Sequence, residues 1–207
     1  LPATVPVYQI GELASLAELF KLPFSKFTQD WYGHLVNFEA SFLIALSEAN
    51  LYFAARCSEK PHCEELKKGT FKSGLWEKNV VEFFIKEDSS NRYQEFNFSP
   101  AGAWWTGVFS DYRVTTKSRP TPPTVNIETK TLGIHGWQIA AAIPRTELEV
   151  SAEFKSATKI NAAFMLGQKN QHYLSWSTPL TDKPDFHLVH DYPTISLKRL
   201  VSFNVFY

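Results

Sequence analysis

Between Val80 and Asp111 the sequence carries a pattern that only a sheet can satisfy. Val81, Phe83 and Ile85 alternate with Glu82, Phe84 and Lys86, and Gln94, Phe96 and Phe98 alternate with Tyr93, Glu95 and Asn97. Successive side chains of a strand point to opposite faces, so a period of two means a ribbon with two unlike surfaces. Asp88-Ser89-Ser90-Asn91 and Ser99-Pro100-Ala101-Gly102 separate the runs with the residues that tight turns demand. A turn centred on Ser89-Ser90 sets Phe83 opposite Phe96 and Ile85 opposite Gln94. It also sets Glu82 opposite Asn97, Phe84 opposite Glu95 and Lys86 opposite Tyr93. One face of this meander is core. The other carries carboxylates, amides and aromatic rings.

The rest of the chain agrees with an all-β fold. Short β-runs at Val5 to Ile10, Ala40 to Ser47, Leu51 to Cys57, Ile134 to Ile143, Ala157 to Leu166, Gln171 to Ser177 and Thr194 to Phe203 are separated by turn residues. Helical periodicity is nearly absent; GELASLAELFKL and PRTELEV have room for a turn or two. Lys117 to Thr124, with its three prolines, reads as a loop. The expected architecture is a single-domain antiparallel β-sandwich of about ten strands, with a closed barrel as the alternative. Residues 1–50 are expected to supply N-terminal strands and an irregular extension packed on the same domain. Residues 51–207 form the sandwich proper.

Charge narrows the partners. Lys plus Arg and Asp plus Glu both number 21, so no net field draws in nucleic acid or an anionic membrane. No apolar run reaches the ~20 residues that a membrane-spanning helix needs. Cys57 and Cys63 are the only cysteines, spaced to close a small disulfide loop or to remain two thiols. With His62 they fall short of the four ligands of a structural zinc site.

The polar face of the meander is the candidate working surface. Pairing across Ser99–Gly102 is expected to set Trp105 against Phe96 in the core and Trp104 beside Glu82, Glu95 and Asn97. An exposed indole next to carboxylates suits a pyranose, whose C–H groups lie on the ring while its hydroxyls meet polar groups. Arg113 is a further hydroxyl partner. Trp76 and Trp137, beside apolar strand starts, read as core. Glu82 and Glu95 have the chemistry of a glycosidase acid/base pair, but neither sits in a hydrolase motif. His187, His190 and Asp191 in PDFHLVHD cannot face one metal from a regular strand. No phosphate loop, nucleophile elbow or zinc-protease motif is present, and no enzyme is expected.

LWEKNVVEFFI, RYQEFNFSPAGAWW, FSDYR, GWQIAAAIP, YLSWS and PDFH occur in that order. As an ordered set they resemble the family 9 carbohydrate-binding modules and related family-9-like domains, over roughly Leu51 to Leu200. Asn79 departs from the family, which often has Asp there. The resemblance implies a β-sandwich that binds a saccharide without chemistry, clamping it between two Trp rings while charged and amide side chains bond the hydroxyls. It makes Trp176, in YLSWS, the second platform beside Trp104. It implies no cofactor, although some members hold a structural calcium, and it points to a periplasmic or extracellular location. The expected ligand-binding set is thus Trp104, Trp176, Glu82, Glu95, Asn97 and Arg113. Two alternatives belong to other classes: a scaffold for a protein partner, or a haem-binding module of a redox system. The single methionine, Met165, reads as core filler rather than an axial ligand.

Overall fold

The computed structural model describes residues 4–116, 124–169, 171–177 and 181–200. In chain order the strands are β1 (Thr4–Gln9), β2 (Ser25–Lys26), β3 (Ala40–Leu46), β4 (Asn50–Cys57), β5 (Val80–Lys86), β6 (Tyr93–Phe98), β7 (Trp104–Asp111), β8 (Val114–Thr115), β9 (Asn126–Leu132), β10 (Gly136–Pro144), β11 (Ile160–Leu166), β12 (His172–Ser175) and β13 (Thr194–Arg199). One sheet runs β13-β1-β3-β4-β10-β9, with β2 on β3, and the other runs β12-β11-β5-β6-β7-β8. The fold is a β-sandwich. Apart from Thr124, the proline-rich segment lies outside the described residues.

The first sheet is mixed rather than antiparallel throughout, because β1 pairs in parallel with both β3 and β13. Strand direction leaves no trace in alternation, which is why the sequence pattern missed it. The inner faces interdigitate through Phe42, Ile44 and Phe53 on one side and Val81, Phe83, Phe96 and Phe98 on the other. A 3-10 turn, Leu16–Lys21, covers the outer face of the first sheet with Leu16 and Leu19. Ser15 and Glu18 form a reciprocal capping box at its start. Both sheets therefore have one covered outer face, but only the second carries buried charge.

The β5–β6 hairpin has the register expected from its turn, Phe83 opposite Phe96 and Glu82 opposite Asn97. The β6–β7 hairpin does not. Trp104 pairs with Phe98 and Trp105 with Asn97, one residue away from the expected alignment. The turn closes through Ser99 N–H to Ala103 O at 2.8 Å and Gly102 N–H to Ser99 O at 2.9 Å. Gly102, at φ +86°, takes the left-handed conformation that lets one extra residue into the connection. A slip of one residue exchanges the two faces.

Candidate functional site

That slip corrects the assignment of the tryptophans. Trp104 is 3% exposed and belongs to the inter-sheet core, edge-on to Phe71 at 4.9 Å. Trp176 is also core, 6% exposed, packed against Phe27 and Phe42 with its indole N–H on Thr4 O at 3.2 Å. Neither presents a ring to solvent, since each lies on the strand face turned to the opposite sheet. Trp105, half-buried, takes the place on the polar face. Trp76, expected in the core, is 38% exposed and meets Trp105 edge-to-face at 5.4 Å. It sits on a short 3-10 turn, Leu75–Glu77, that lifts it off the strand and so off the inward side.

Trp105 has its position because residue 107 is glycine. A Cβ there would come within 2.2 Å of Trp105 Cη2 and 2.8 Å of Cζ2, so the six-membered ring lies directly over Gly107. Gly107 is opposite Glu95 in the ladder. The indole is thereby laid beside the carboxylate, as stacking with adjacent hydrogen bonding requires.

These residues enclose a cavity of about 540 Å³, within the range of small-molecule sites. Trp76, Trp105, Phe109, Tyr173 and Phe186 supply aromatic surface, and Glu82, Glu95, Arg113 and His187 supply the polar groups. Met165 packs against the buried apolar clusters and also lines the wall of the cavity. Glu82 and Glu95 are each 4% exposed, diagonal to one another on β5 and β6. Burial, then the neighbouring Glu95, pushes the Glu82 carboxyl well above its ordinary range, against the pull of Arg113. Burial raises Glu95 to about 7, opposed by the nearby Asn97 amide and by Arg113. Asn97 is fully buried beside them, and neither end of its amide makes a hydrogen bond of normal geometry.

Arg113 stands at the rim on a two-residue turn between β7 and β8, with φ +53°. A non-glycine residue there is uncommon and is held only when its surroundings fix it. They do so here. Its guanidinium donates to Asp185 at 2.9 Å, its backbone N–H donates to the Tyr93 hydroxyl at 3.2 Å, and Tyr112 donates to the same Asp185 at 2.6 Å. The Tyr93 hydroxyl also hydrogen-bonds His187 Nδ1 at 2.7 Å. The other ring nitrogen, Nε2, lies 3.8 Å from Glu95 Oε2. Burial, with the Arg113 charge, holds the His187 imidazolium value down at about 4, so the ring is neutral near pH 7.

Residues far away in sequence complete the wall. Trp31 donates its backbone N–H to Tyr173 O at 2.7 Å and its indole N–H to Thr181 O at 3.0 Å, with its ring against Phe186. It thus fixes the segment that delivers Phe186 and His187. Of the expected set, Glu82, Glu95 and Arg113 line the cavity and Asn97 lies beside the two carboxylates, whereas Trp104 and Trp176 lie elsewhere. Trp76, Trp105 and His187 were not read as site residues. The Trp-x-Gly spacing of Trp105 and Gly107 was the available signal for Trp105. Among the described residues no group of three or more His, Cys, Asp or Glu side chains is arranged to hold a metal ion. Cys57 and Cys63 are both free thiols. No helix of the described residues is long and apolar enough to cross a membrane.

Known proteins sharing this architecture can now be compared. A presumptive carbohydrate-binding protein from Bacteroides uniformis superposes with a TM-score of 0.71 at 18% identity, over 94% of this chain and 99% of its own. A family 9 carbohydrate-binding module from Caldicellulosiruptor kristjanssonii, in complex with cellotriose, gives 0.60 at 11% identity, over 97% and 96%. The module from the same organism in complex with glucose gives 0.58 at 12%, over 97% and 100%. At such identities these likenesses establish the fold. No curated protein sequence matches the chain. The family model for carbohydrate-binding family 9 matches residues 21–197, most of the chain, and the protein belongs to that family.

Proposed function

We propose that the cavity on the outer face of the β5–β6–β7 meander binds a saccharide unit without catalysing its conversion. The observation that carries this reading is the indole of Trp105, laid over Gly107 beside the buried pair Glu82 and Glu95. The ring offers a flat surface for pyranose C–H groups, and the carboxyl groups accept from or donate to hydroxyls. Arg113, oriented by Asp185, supplies donors at the rim. Trp76 and Trp105 meet edge-to-face, leaving no slot between them for a sugar ring. Trp105 is therefore the platform and Trp76 a side wall.

Membership in a family of non-catalytic binding modules supports a role without turnover, as do the saccharide complexes of its structural neighbours. Stacking and hydroxyl bonding need no cofactor. Such a role fits a periplasmic or extracellular protein that meets glycans. Exposed sugars exchange water hydrogen bonds for protein ones, so affinity should be modest. Titration of the intrinsic tryptophan fluorescence with glucose, cellotriose and other hexoses tests the reading. A saturable change abolished by Trp105→Ala is expected; no change with any saccharide would refute it.

A further inference from the structure

The charge balance of the cavity goes beyond what a neutral sugar requires. Two carboxylates lie at its buried end, and among the described residues no lysine or arginine is paired with either. Arg113, whose charge reaches both, is already held by Asp185. His187, whose Nε2 lies 3.8 Å from Glu95 Oε2, is kept neutral near pH 7 by its burial and by the Arg113 charge. Tyr93 and Tyr192, which also border the pair, are buried hydroxyls whose ionisation is pushed upward. Beside the carboxylates stands the fully buried Asn97, whose amide is close enough to pull on Glu95 but makes no hydrogen bond of normal geometry at either end. Buried polar groups in folded proteins are normally satisfied, so unused capacity of this kind points to a ligand.

Resting on the saccharide reading above, we infer that the preferred ligand is an amino sugar whose ammonium group enters the Glu82–Glu95 pair. An ammonium supplies donors and the positive charge that this end of the cavity lacks, and it does so among aromatic faces that also attract cations. Trp105 carries the ring while the two carboxylates take the amine. A hydroxyl in the same place leaves the shared negative charge uncompensated. Burial raises both carboxyls, and for Glu82 the neighbouring Glu95 adds to it; a cation seated between them would favour their ionised forms.

The test is calorimetric or fluorescence titration of the intact chain at pH 7.5 with glucose and galactose, the corresponding 2-amino sugars, 6-amino-6-deoxyglucose and N-acetylglucosamine. At least one amino sugar should bind about tenfold to a hundredfold more tightly than its parent hexose, the range expected for a charge-assisted bond. N-acetylglucosamine, with the nitrogen uncharged, should lose that advantage. Glu82→Gln and Glu95→Gln together should bring the ratio of amine to hexose affinity close to one. In the wild type the ratio for 6-amino-6-deoxyglucose, whose amine stays protonated throughout, should shrink as pH falls from 7.5 to 5, because Glu95 then takes up a proton itself. Equal binding of hexoses and amines would overturn the amino-sugar inference alone. Binding of neither would overturn the saccharide reading with it. An advantage that survives Glu82→Gln and Glu95→Gln together would place the amine elsewhere and also refute it.

Discussion

Trp104 and Trp105 are neighbours in the chain with opposite fates, and so are the two faces of the strands that carry them. The inner face of β5, β6 and β7 joins Val81, Phe83, Phe96, Phe98 and Trp104 into the core. The outer face collects Glu82, Glu95, Asn97 and Trp105. The inner face is built for stability: apolar, close-packed and free of charge. The outer face tolerates two buried carboxyl groups and an amide with no hydrogen bond of normal geometry, which a structure selected for stability alone would replace. On the proposed reading, one ladder separates folding from recognition by the alternation of a single residue.

Substitutions can break that division. Trp104→Ala should be the most damaging change, destabilising the fold by about 3–5 kcal/mol, as deletion of a large buried ring does. Denaturant unfolding would measure it, and a well-folded variant lacking only sugar binding would move Trp104 to the recognition side. Trp105→Ala should do the reverse. Saccharide affinity should fall at least about tenfold, with a smaller loss of stability than Trp104→Ala causes.

Charge offers a sharper contrast. A carboxyl whose value is raised on folding costs stability once it must ionise. Wild-type stability should therefore decline as pH rises from the ordinary 4.5 to about 7. Glu95→Gln removes a charge that must form in a buried site by pH 8, and should stabilise the protein there by about 1–3 kcal/mol, while weakening ligand binding. Urea titrations at pH 5 and pH 8 would show this, and an equal effect at both would mean the pair bears no strain.

Gly107→Ala is subtler. Its methyl group would displace the Trp105 ring, so affinity should drop several-fold with little change in the unfolding midpoint. Smallest of all is Arg113→Lys. The Arg113–Asp185 pair is half exposed, so its loss should cost no more than about 1 kcal/mol of stability. Any larger effect should appear in the ligand titration.

Much of this was legible in the sequence, and the failure has one physical origin. Alternation identified β5 and β6, their turn set the register between them, and Glu82, Glu95 and Asn97 came out on one face. The second turn looked like a four-residue reversal, but Gly102 in the left-handed region adds a residue and inverts β7. Trp104 and Trp105 changed places for that reason. Trp176 follows another rule: it shares the inward face of Leu174, and only the opposing sheet, with Phe42, reveals it as core. Trp76 reads as core from its place before an apolar strand, whereas it sits on a short turn that carries no strand periodicity. His187 depends on contacts with Tyr93 across 94 residues of chain. Local pattern reports which residues share a face. It does not report which segments meet it.

The most direct test of recognition on the outer face is a two-dimensional 15N–1H titration that follows the indole N–H of each of the six tryptophans. Glucose, cellotriose and an amino sugar would be added in turn. Trp105 and Trp76 should shift saturably, while Trp104, Trp137 and Trp176 stay in place. Shifts confined to Trp104 or Trp176, or none on saturation with any saccharide, would contradict the account.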